Sequence, residues 1–405
     1  MKVLLAHKFF KFNGGADVFF FETGRILKDH GHEVAYFSTQ DQNNLPSAYS
    51  KYFINAPDFK VGNLFHKIRA FIKIPYNLEA KQKFSKLLDD FQPDVIHIFN
   101  IATHISPSIL DIANKRKIPI IISCNDYKHI CPNYKLFHHG KICEDCKGGK
   151  FYNCIINSCS HDSKLYSIAS SFESYIHFYL NIYKKNIDLF LFASDFMALK
   201  TEAFWGKNFK WSKLMNPFTI PIIPINNTIG EYGLYFGRLI DEKGVDILVD
   251  ALRYCKDIPF KIVGDGPDYE KLKRIVNDNN LDKVEFTGAI WGNKLNEILF
   301  NSKFVVVPSI WHENFPYVIL QAFAARKPVI GSKRGGIPEL VKEDERGLLY
   351  NADDPIELSE KISVLFKNTE KCIFMGENAR KYVEETFNDE LFYKSLMSNY
   401  NLVLK

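Results

Sequence analysis

The 405-residue sequence lacks any run of about 20 consecutive apolar residues, which argues against a membrane-spanning helix. Only four apolar residues stand between Lys2 and His7, too few for the apolar core of a signal peptide, so we expect a cytoplasmic protein. A net charge of +5 is too small to indicate a nucleic-acid partner, although it permits an anionic ligand. With 46% hydrophobic and 24% charged residues, the composition excludes disordered and collagen-like chains.

Short runs that are apolar on both faces alternate with helical segments, which is the pattern of buried parallel strands. The strands predicted for the first half of the chain are 2–7, 32–39, 94–99, 119–125 and 188–193. Those predicted for the second half are 233–237, 260–263, 284–287, 304–308, 328–331 and 347–350. Two such alternations predict an α/β protein with two doubly wound, Rossmann-like domains.

A stretch rich in proline separates the two alternations. Residues 216–227 read NPFTIPIIPINN, with three prolines in twelve residues, and therefore predict a linker. We expect a first domain at 1–215 with a cysteine-rich insert at 131–159, a second domain at 228–386, and a final segment at 387–405.

Residues suited to an anionic ligand follow several predicted strands. Gly14-Gly15 opens a helix whose first N–H groups can bind phosphate, and a plain turn is the alternative. In the second half, Arg238 ends a strand and Lys243 precedes a helix, so their charges can converge on a diphosphate. A solvated loop is the alternative there. Gly264 lies in GDGP, a weaker motif at another strand-to-helix turn.

The most specific stretch is WHENFPYVILQ at residues 311–321, which follows the predicted strand 304–308. Pro316 suits the first position of a helix, with the N–H groups of Tyr317 and Val318 pointing outward. Glu313 precedes that helix and either caps it or accepts hydrogen bonds from sugar hydroxyls. Gln321 lies more than one turn further on, where its amide can bond hydroxyls.

These residues resemble the retaining nucleotide-sugar glycosyltransferases of the GT-B fold, in particular family 4, over nearly the whole chain. The matching pieces are NGGAD near residue 15, GRLIDEKG at 237, VGDGP at 263, PSIWHENFPYVILQAFAARKPVI at 308 and GGIPELV at 335. The resemblance implies that an acceptor-binding first domain and a donor-binding second domain face each other across a cleft. It also implies a final helix at 387–405 that returns to the first domain.

The resemblance assigns roles to single residues. Arg238 and Lys243 match the pair that clamps the donor diphosphate, and Gly15 matches a glycine whose backbone meets the same phosphates. Glu313 matches the first Glu of a Glu-x7-Glu motif near the donor sugar. The implied donor-binding residues are Gly14, Gly15, Arg238, Lys243, Gly264, Glu313, Asn314, Phe315, Tyr317, Val318 and Gln321.

Two positions depart from the family pattern. Gln321 replaces the second Glu of the motif, which usually holds the ribose, and offers a neutral partner instead. Asn125 stands where a related subfamily has a His that orients substrates, and it does not titrate near neutral pH. A changed substrate and a loss of activity are the two interpretations, and Asp126 either takes a larger role or ties down the strand end. The implied catalytic residues are Asn125, Asp126, Glu313, Arg238 and Lys243.

The insert carries five cysteines in the order Cys131-x11-Cys143-x2-Cys146-x7-Cys154-x4-Cys159. A C-x-x-C pair followed by a second close pair suits zinc, and thiolate-rich sites are usually closed and structural. We predict Cys143, Cys146, Cys154 and Cys159 as ligands, with Cys131 as the alternative and His129, His138, His139 and His161 as substitutes. Unligated or disulfide-paired thiols are the other interpretation. The insert also resembles that of a glycosyltransferase subfamily, and its position after Asn125 suggests the acceptor side.

Residues 62–83 combine apolar side chains such as Leu64 and Phe65 with basic ones such as Lys67 and Arg69. The pattern is typical of a helix lying on an anionic bilayer, and an ordinary helix of the first domain is the alternative. The former would place the protein peripherally on the inner face of the membrane. The aromatic-rich stretch 166–183 is expected to pack within the domain, and membrane binding is the alternative.

As a whole, the resemblance implies transfer of a hexose-type sugar from a UDP- or GDP-sugar to a hydroxyl of a glycan or lipid-linked acceptor. Cell-surface polysaccharide or glycolipid synthesis is the expected setting. The family mechanism requires no cofactor, because basic residues and a helix N-terminus stabilise the leaving diphosphate. The alternatives are a catalytically impaired sugar-nucleotide-binding subunit and a nucleotide-sugar epimerase or hydrolase on the same scaffold.

Overall fold

The computed structural model describes residues 1–56, 71, 73–221 and 230–404. The chain divides into two compact units. Unit 1 comprises Met1–Leu136, Cys143–Pro217 and Asp389–Lys405, and unit 2 comprises Phe137–Ile142 and Phe218–Asn388. In the described part of the chain each unit contains one six-stranded sheet. The predicted α/β fold with two Rossmann-like units is therefore confirmed.

The described strands are β1 (Lys2–Ala6), β2 (Glu33–Phe37), β3 (Val95–Ile98), β4 (Ile120–Cys124), β5 (Phe137–His138), β6 (Lys141–Ile142), β7 (Leu189–Phe192), β8 (Trp211–Lys213), β9 (Tyr232–Phe236), β10 (Phe260–Val263), β11 (Val284–Gly288), β12 (Ser302–Val307), β13 (Val329–Ser332) and β14 (Gly347–Tyr350). The eleven strands predicted from the sequence all appear among them. The short strands β5, β6 and β8 were not predicted, because segments this brief carry no periodic pattern.

The described helices are α1 (Gly15–Asp29), α2 (Leu78–Phe91), α3 (Ser108–Lys115), α4 (Tyr152–Ile156), α5 (Lys164–Tyr179), α6 (Ile182–Asn186), α7 (Asp195–Trp205), α8 (Val245–Leu252), α9 (Tyr269–Asp278), α10 (Gly292–Phe300), α11 (Tyr317–Ala324), α12 (Ile337–Leu340), α13 (Pro355–Lys367), α14 (Thr369–Thr386) and α15 (Asp389–Val403). Short 3-10 turns cover Ser50–Tyr52, Lys147–Gly149 and Asp241–Lys243.

The sheet of unit 1 has the strand order β2-β1-β3-β4-β7-β8, with every pair parallel. Successive side chains of β1 enter different cores, because neighbouring residues of a strand point to opposite faces. Leu4 and Ala6 lie in one hydrophobic cluster, and Val3 and Leu5 lie in the other. Burial on both faces explains why the strand sequences are almost uniformly apolar.

The last helix, α15, belongs to unit 1. Phe392 and Leu396 join the hydrophobic cluster that contains Val3 and Leu5. The buried Tyr400 joins it too, and its hydroxyl lies 2.9 Å from Nδ1 of His97 on β3. Hydrophobic burial and this internal hydrogen bond together hold the end of the chain in unit 1.

The sheet of unit 2 has the strand order β11-β10-β9-β12-β13-β14, again with every pair parallel. The antiparallel pair β5–β6 also belongs to this unit. Phe137 of β5 packs in a small apolar cluster with Ile310 and Ala352. The insert thus contributes a two-stranded hairpin to unit 2.

Some predicted segments differ from the structure or fall outside the described residues. The aromatic-rich stretch 166–183 is divided between two helices, because Asn181 adopts a left-handed conformation with φ 48° between α5 and α6. Of the predicted linker 216–227 only residues 216–221 are described, and residues 62–70 and 72 of the basic and apolar stretch 62–83 lie outside the described residues. No helix in the described part of the chain has the length and apolar character needed to cross a membrane.

Candidate functional site

Loops at the carboxyl end of the unit 2 sheet are packed backbone against backbone. A Cβ on Gly264, after β10, would stand 1.8 Å from the carbonyl oxygen of Gly237, after β9. A Cβ on Gly335, after β13, would stand 2.1 Å from the carbonyl oxygen of Glu313, and Gly335 has φ +57°. Only glycine fits at these two positions, and their close approach brings the predicted site loops together.

Glu313 is the buried centre of these loops. Its Oε1 lies 2.6 Å from Nζ of Lys243 and accepts a hydrogen bond of 2.7 Å from Ser309 Oγ. Burial acts most strongly, by opposing ionisation. The Lys243 charge outweighs it, together with hydrogen bonds from Lys243, Trp311 and Ser309. The pKa of Glu313 therefore lies below its ordinary value. The site therefore contains a carboxylate with a fixed cationic partner.

Arg238 and Lys243, the residues predicted to bind the diphosphate, lie in the segment that follows β9. Arg238 is exposed, and its carbonyl accepts a hydrogen bond from Tyr235 Oη. The Lys243 ammonium is engaged by Glu313 and lies 5.4 Å from the ring centroid of Trp311. Because an ammonium has three N–H donors, Lys243 keeps two of them for a further acceptor.

Helix α11 begins one residue later than predicted. Pro316 is the N-cap, with extended backbone angles of φ −75° and ψ 107°, and Tyr317 is the first helical residue. The first N–H groups of an α-helix have no acceptor within the helix, so this end favours an anion. Phe315 packs against the ring of Tyr317, and Gln321 is half-buried one turn into the helix.

Unit 1 holds a second group of predicted residues. Gly14 is the N-cap of α1, in an extended conformation, and Gly15 is its first residue. The N–H of Asn13, in the same loop, donates to Oδ2 of the buried Asp17 at 2.9 Å. Asp17 thereby fixes the loop in front of the helix N-terminus.

A chain of hydrogen bonds runs from Asp17 to the predicted residue Asp126. Nδ1 of the buried His7 accepts the N–H of Asn100 at 3.2 Å, so its Nε2 carries the proton and donates to Asp17 Oδ1 at 2.8 Å. The side-chain amide of Asn100 then donates to Asp126 Oδ2 at 2.8 Å. Burial lowers the pKa of His7, although the nearby Asp17 acts in the opposite direction. The lowered pKa favours the neutral imidazole, which agrees with Nδ1 acting as an acceptor.

Asn125 has an unusual environment for a polar side chain. Its Nδ2 is buried and has no hydrogen-bond partner among the residues that the structure describes. Asn125 and Asp126 line a small cavity of about 30 Å³, together with Lys128 and His129. A buried amide without a partner is costly, so this cavity suits a ligand oxygen.

A larger cavity of about 230 Å³ lies in the same unit and shares Lys128, His129 and Tyr183 with the small one. Lys128 Nζ forms a 2.8 Å ion pair with the buried Glu173. Aromatic side chains, including Phe178 and Trp205, supply much of the remaining wall. Aromatic faces and fixed polar groups together are typical of small-molecule sites.

The five cysteines of the insert lie near one another as free thiols. Cys154 interacts electrostatically with the other four, which are Cys131, Cys143, Cys146 and Cys159. A hydrogen bond from Cys159, the largest effect, lowers the pKa of Cys154 despite burial, with help from Ser171 and Ser167. These residues are all described, and no three of their sulfur atoms lie within 4.8 Å of one another.

Sequence reasoning missed His7, Asn100, Ser309 and Glu173. Asn100, for example, acts through Asp126, which is distant in the sequence. Ser309 is the exception, because its partner Glu313 lies four residues further on. Asp17, by contrast, belongs to the NGGAD motif, and an acidic residue in the first turn of a helix was a usable signal.

Two family models match the chain: Glycosyltransferase Family 4 over residues 13–206 and Glycosyl transferases group 1 over residues 226–382. The chain is a member of the family 4-like glycosyltransferases. The uncharacterized glycosyltransferase MJ1178 of Methanocaldococcus jannaschii is 37% identical to it over 151 residues. That alignment covers 37% of this chain and 42% of the relative, so the chain matches less than half of the relative's length.

Solved structures resemble this family member over its whole length. Sucrose-phosphate synthase from Thermosynechococcus elongatus aligns with a TM-score of 0.69 at 18% identity, covering 99% of this chain and 98% of that one. The Anabaena protein HepE, in complex with UDP-glucose, aligns with a TM-score of 0.61 at 18% identity, covering 99% of each chain. At these identities the likeness concerns the fold, and it confirms the predicted GT-B class.

Proposed function

We propose that this protein is a retaining glycosyltransferase that moves a hexose-type sugar from a nucleoside-diphosphate sugar to an acceptor hydroxyl. The observation that carries the proposal is the arrangement at the carboxyl end of the unit 2 sheet. The Lys243 ammonium pairs with the buried carboxylate of Glu313, and α11 begins four residues further along the chain. Arg238 and Glu313 both act electrostatically on the hydroxyl of Tyr235. The UDP-glucose complex of the Anabaena protein supports a donor of this class.

In the proposed transfer, the bond between the anomeric carbon and the diphosphate oxygen breaks as the acceptor oxygen bonds to the same face. The acceptor proton passes to the departing diphosphate oxygen, so the enzyme supplies no covalent nucleophile. Negative charge grows on the diphosphate, and preorganised donors stabilise it most in the transition state. We assign this stabilisation to Arg238, Lys243 and the first N–H groups of α11.

Glu313, Asn314 and Gln321 are proposed to hold the hydroxyl groups of the donor. Glu313 accepts hydrogen bonds as a carboxylate, whose charge the Lys243 ammonium maintains. Gln321 bonds a ribose hydroxyl through a neutral amide, which weakens this contact relative to a Glu. We therefore expect the diphosphate to contribute more to donor affinity than the ribose does.

Unit 1 is proposed to bind the acceptor, a glycan or a lipid-linked saccharide. The unpartnered Nδ2 of Asn125 requires an oxygen acceptor, and a sugar hydroxyl in the small cavity supplies one. Asp126, held by Asn100, lies beside it. Synthesis of a cell-surface polysaccharide or glycolipid is the proposed setting.

Thermal unfolding in the presence of UDP, GDP, ADP and their sugars tests the donor part of the proposal. A ligand that binds the folded state raises the unfolding temperature as its concentration exceeds its Kd. We expect one nucleotide family to do so, and Arg238→Ala to abolish the shift. Arg253→Ala, at the exposed end of α8, is the matched control and should leave the shift intact. No shift with any nucleotide would refute the proposed donor class.

The second candidate, a catalytically impaired binding subunit, is favoured by Asn125 and Gln321. Product analysis by nuclear magnetic resonance separates the two, since a retaining enzyme conserves the anomeric configuration of the donor. Release of free sugar or of an isomer without an acceptor would instead indicate a hydrolase or an epimerase. If only Asn125→His forms product, the impaired subunit is the correct description.

We also propose that Cys143, Cys146, Cys154 and Cys159 hold a structural zinc ion. The clustering of free thiols around Cys154 supports this, although the sulfur atoms must move closer together to reach tetrahedral geometry. Metal analysis of protein purified without chelators should find stoichiometric zinc. Cys143→Ser should lose it, and Cys255→Ser, outside the insert, should retain it. Zinc-free wild-type protein would leave the alternative of unligated thiols.

A further inference from the structure

Helix α5 has its polar side inward and its apolar side outward. Its buried residues are Ser167, Ser171, Glu173 and His177. Its outward stripe includes Leu165, Ile168, Phe172 and Tyr179, with 69%, 42%, 41% and 78% of their surfaces exposed. Spacings of three, four and seven residues place these side chains on one face of the helix. A helix on the surface of a globular domain normally has the reverse arrangement.

The inward polar groups have specific partners. Glu173 pairs with Lys128 at 2.8 Å, and Ser171 Oγ donates to the carbonyl of Phe151 at 2.9 Å. One turn further on, Nε2 of His177 donates to the carbonyl of Pro75 at 3.0 Å. Rotating the helix to bury the apolar stripe would break these bonds and leave buried polar groups unsatisfied. The outward orientation of the apolar stripe is therefore fixed by the interior of unit 1.

Neighbouring segments extend the apolar surface. Helix α4 lies beside α5, since the N–H of Tyr152 donates to the hydroxyl of Tyr175 at 3.1 Å. Tyr152 and Ile156 on α4 and Leu180 after α5 are exposed by 48%, 68% and 55%. We name this surface the α4–α5 face and define it by Tyr152, Ile156, Leu165, Ile168, Phe172, Tyr179 and Leu180.

Basic residues flank the α4–α5 face. Lys147 and Lys150 precede α4 and are exposed, and Lys164 is exposed at the start of α5. Lys185 is exposed a few residues after the end of α5. The single acidic residue of α5, Glu173, is buried and paired, so it adds no negative charge to the face. Asp145 and Asp162 are also exposed, before α4 and α5 respectively, so the four lysines leave a net positive charge at these edges. The face therefore has an apolar centre, rich in aromatic residues, with a positive balance of charge around it.

We propose that the α4–α5 face docks the protein on the surface of an anionic lipid membrane. Apolar and aromatic side chains flanked by lysines are the composition that binds at the boundary between lipid headgroups and acyl chains. Lysines are attracted to anionic headgroups, whereas they are depleted in interfaces between proteins. The charge distribution thus favours a membrane over a second protein as the occupant.

The cavity of about 230 Å³ lies next to this face. Its lining includes Phe178 and Lys184, on the segment that ends α5 and leads away from it. A lipid-linked acceptor that remains in the membrane would meet the cavity at this edge. This last step rests on the proposed transferase function, whereas docking itself does not.

Sedimentation of the full-length protein with vesicles tests the proposal without any measurement of activity. Phosphatidylcholine vesicles are compared with vesicles that also contain phosphatidylglycerol. We expect binding to the anionic vesicles, and a reduction on the order of tenfold in the double variant Leu165→Ser, Tyr179→Ser. The control is a second double variant, Leu402→Ser, Tyr254→Ser, which replaces one Leu and one Tyr of similar exposure outside the α4–α5 face. It should bind the anionic vesicles as the wild-type protein does.

Each alternative outcome overturns the proposal. Absence of vesicle binding by the wild-type protein would do so, as would equal losses in the two double variants. The same samples are examined by size-exclusion chromatography with light scattering. A wild-type dimer that the Leu165→Ser, Tyr179→Ser variant converts to a monomer would make the face a contact between copies. Unchanged unfolding temperatures show that the variants remain folded.

Discussion

The ion pair between Lys243 and Glu313 allows a quantitative prediction. Glu313→Gln keeps the size of the side chain but removes its charge, while Ser309 keeps a hydrogen-bond partner. Hydrogen bonds to charged groups contribute about 1.5–3 kcal/mol, and breaking a buried pair costs about 3–5 kcal/mol. The Lys243 side chain is 21% exposed and regains water when released. We therefore expect a loss of about 2 kcal/mol in the free energy of unfolding, at the lower end of these ranges.

Lys243→Met should cost more, about 3 kcal/mol, because it leaves the buried Glu313 carboxylate without its cationic partner. The double variant removes both charges, so the two losses should not add. We expect a coupling energy of about 2 kcal/mol, measured by urea unfolding of the four proteins at pH 7.

The pH dependence provides a second readout of the same pair. The pKa of Glu313 in the folded protein lies below its ordinary value of 4.5. The stabilisation is therefore fully present above that ordinary value and is lost as the pH falls through the folded pKa. The difference in unfolding free energy between wild type and Glu313→Gln should be complete at pH 7 and should shrink below about pH 4.

The pair between Lys261 and Glu285, on adjacent strands of the same unit, is the control. Its atoms are 3.1 Å apart, but the Glu285 side chain is 58% exposed. Glu285→Gln should change the free energy of unfolding by less than about 1 kcal/mol. A coupling below about 0.5 kcal/mol for Lys243 and Glu313, or a difference that does not change with pH, would refute the reasoning.

Two further predictions concern the folding of each unit. Gly335→Ala should destabilise unit 2 by more than about 2 kcal/mol, since its Cβ would clash with the Glu313 backbone at a positive φ. Gly31 also has a positive φ, but a Cβ added there would meet open space. Urea unfolding of Gly31→Ala should therefore show a loss of only about 1 kcal/mol in the free energy of unfolding. Tyr400→Phe should cost about 1–2 kcal/mol, because it removes the hydrogen-bond partner of Nδ1 of the buried His97. An unchanged unfolding midpoint for Tyr400→Phe would contradict a role for that bond in holding α15.

Several features of the fold followed from local sequence patterns. The predicted strands agree with the structure because a parallel strand buried on both faces, such as Ile120–Cys124, is apolar at successive positions. The strand-to-helix turn at Gly264 was also recognisable, and the structure shows that its glycine meets backbone that no other residue would tolerate. The position of Glu313 just before α11 followed in the same way, because the two are neighbours in the chain.

Only the tertiary structure decided how distant residues combine. The stretch 166–183 was expected to pack within the domain, yet its apolar side faces outward because Lys128 and other distant groups bind its polar side. Sequence periodicity shows that a helix has two faces, but the partners of each face determine which one is buried.

The same limit applies to the site in unit 1. His7, Asn100 and Asp126 come from three strand ends and meet because parallel strands place their carboxyl ends at one edge of the sheet. The sequence alone determined that these strands exist, and it predicted candidate site residues at their ends. The tertiary structure decided which side chains share hydrogen bonds there, because contacts between residues far apart in the chain depend on the order of strands in the sheet.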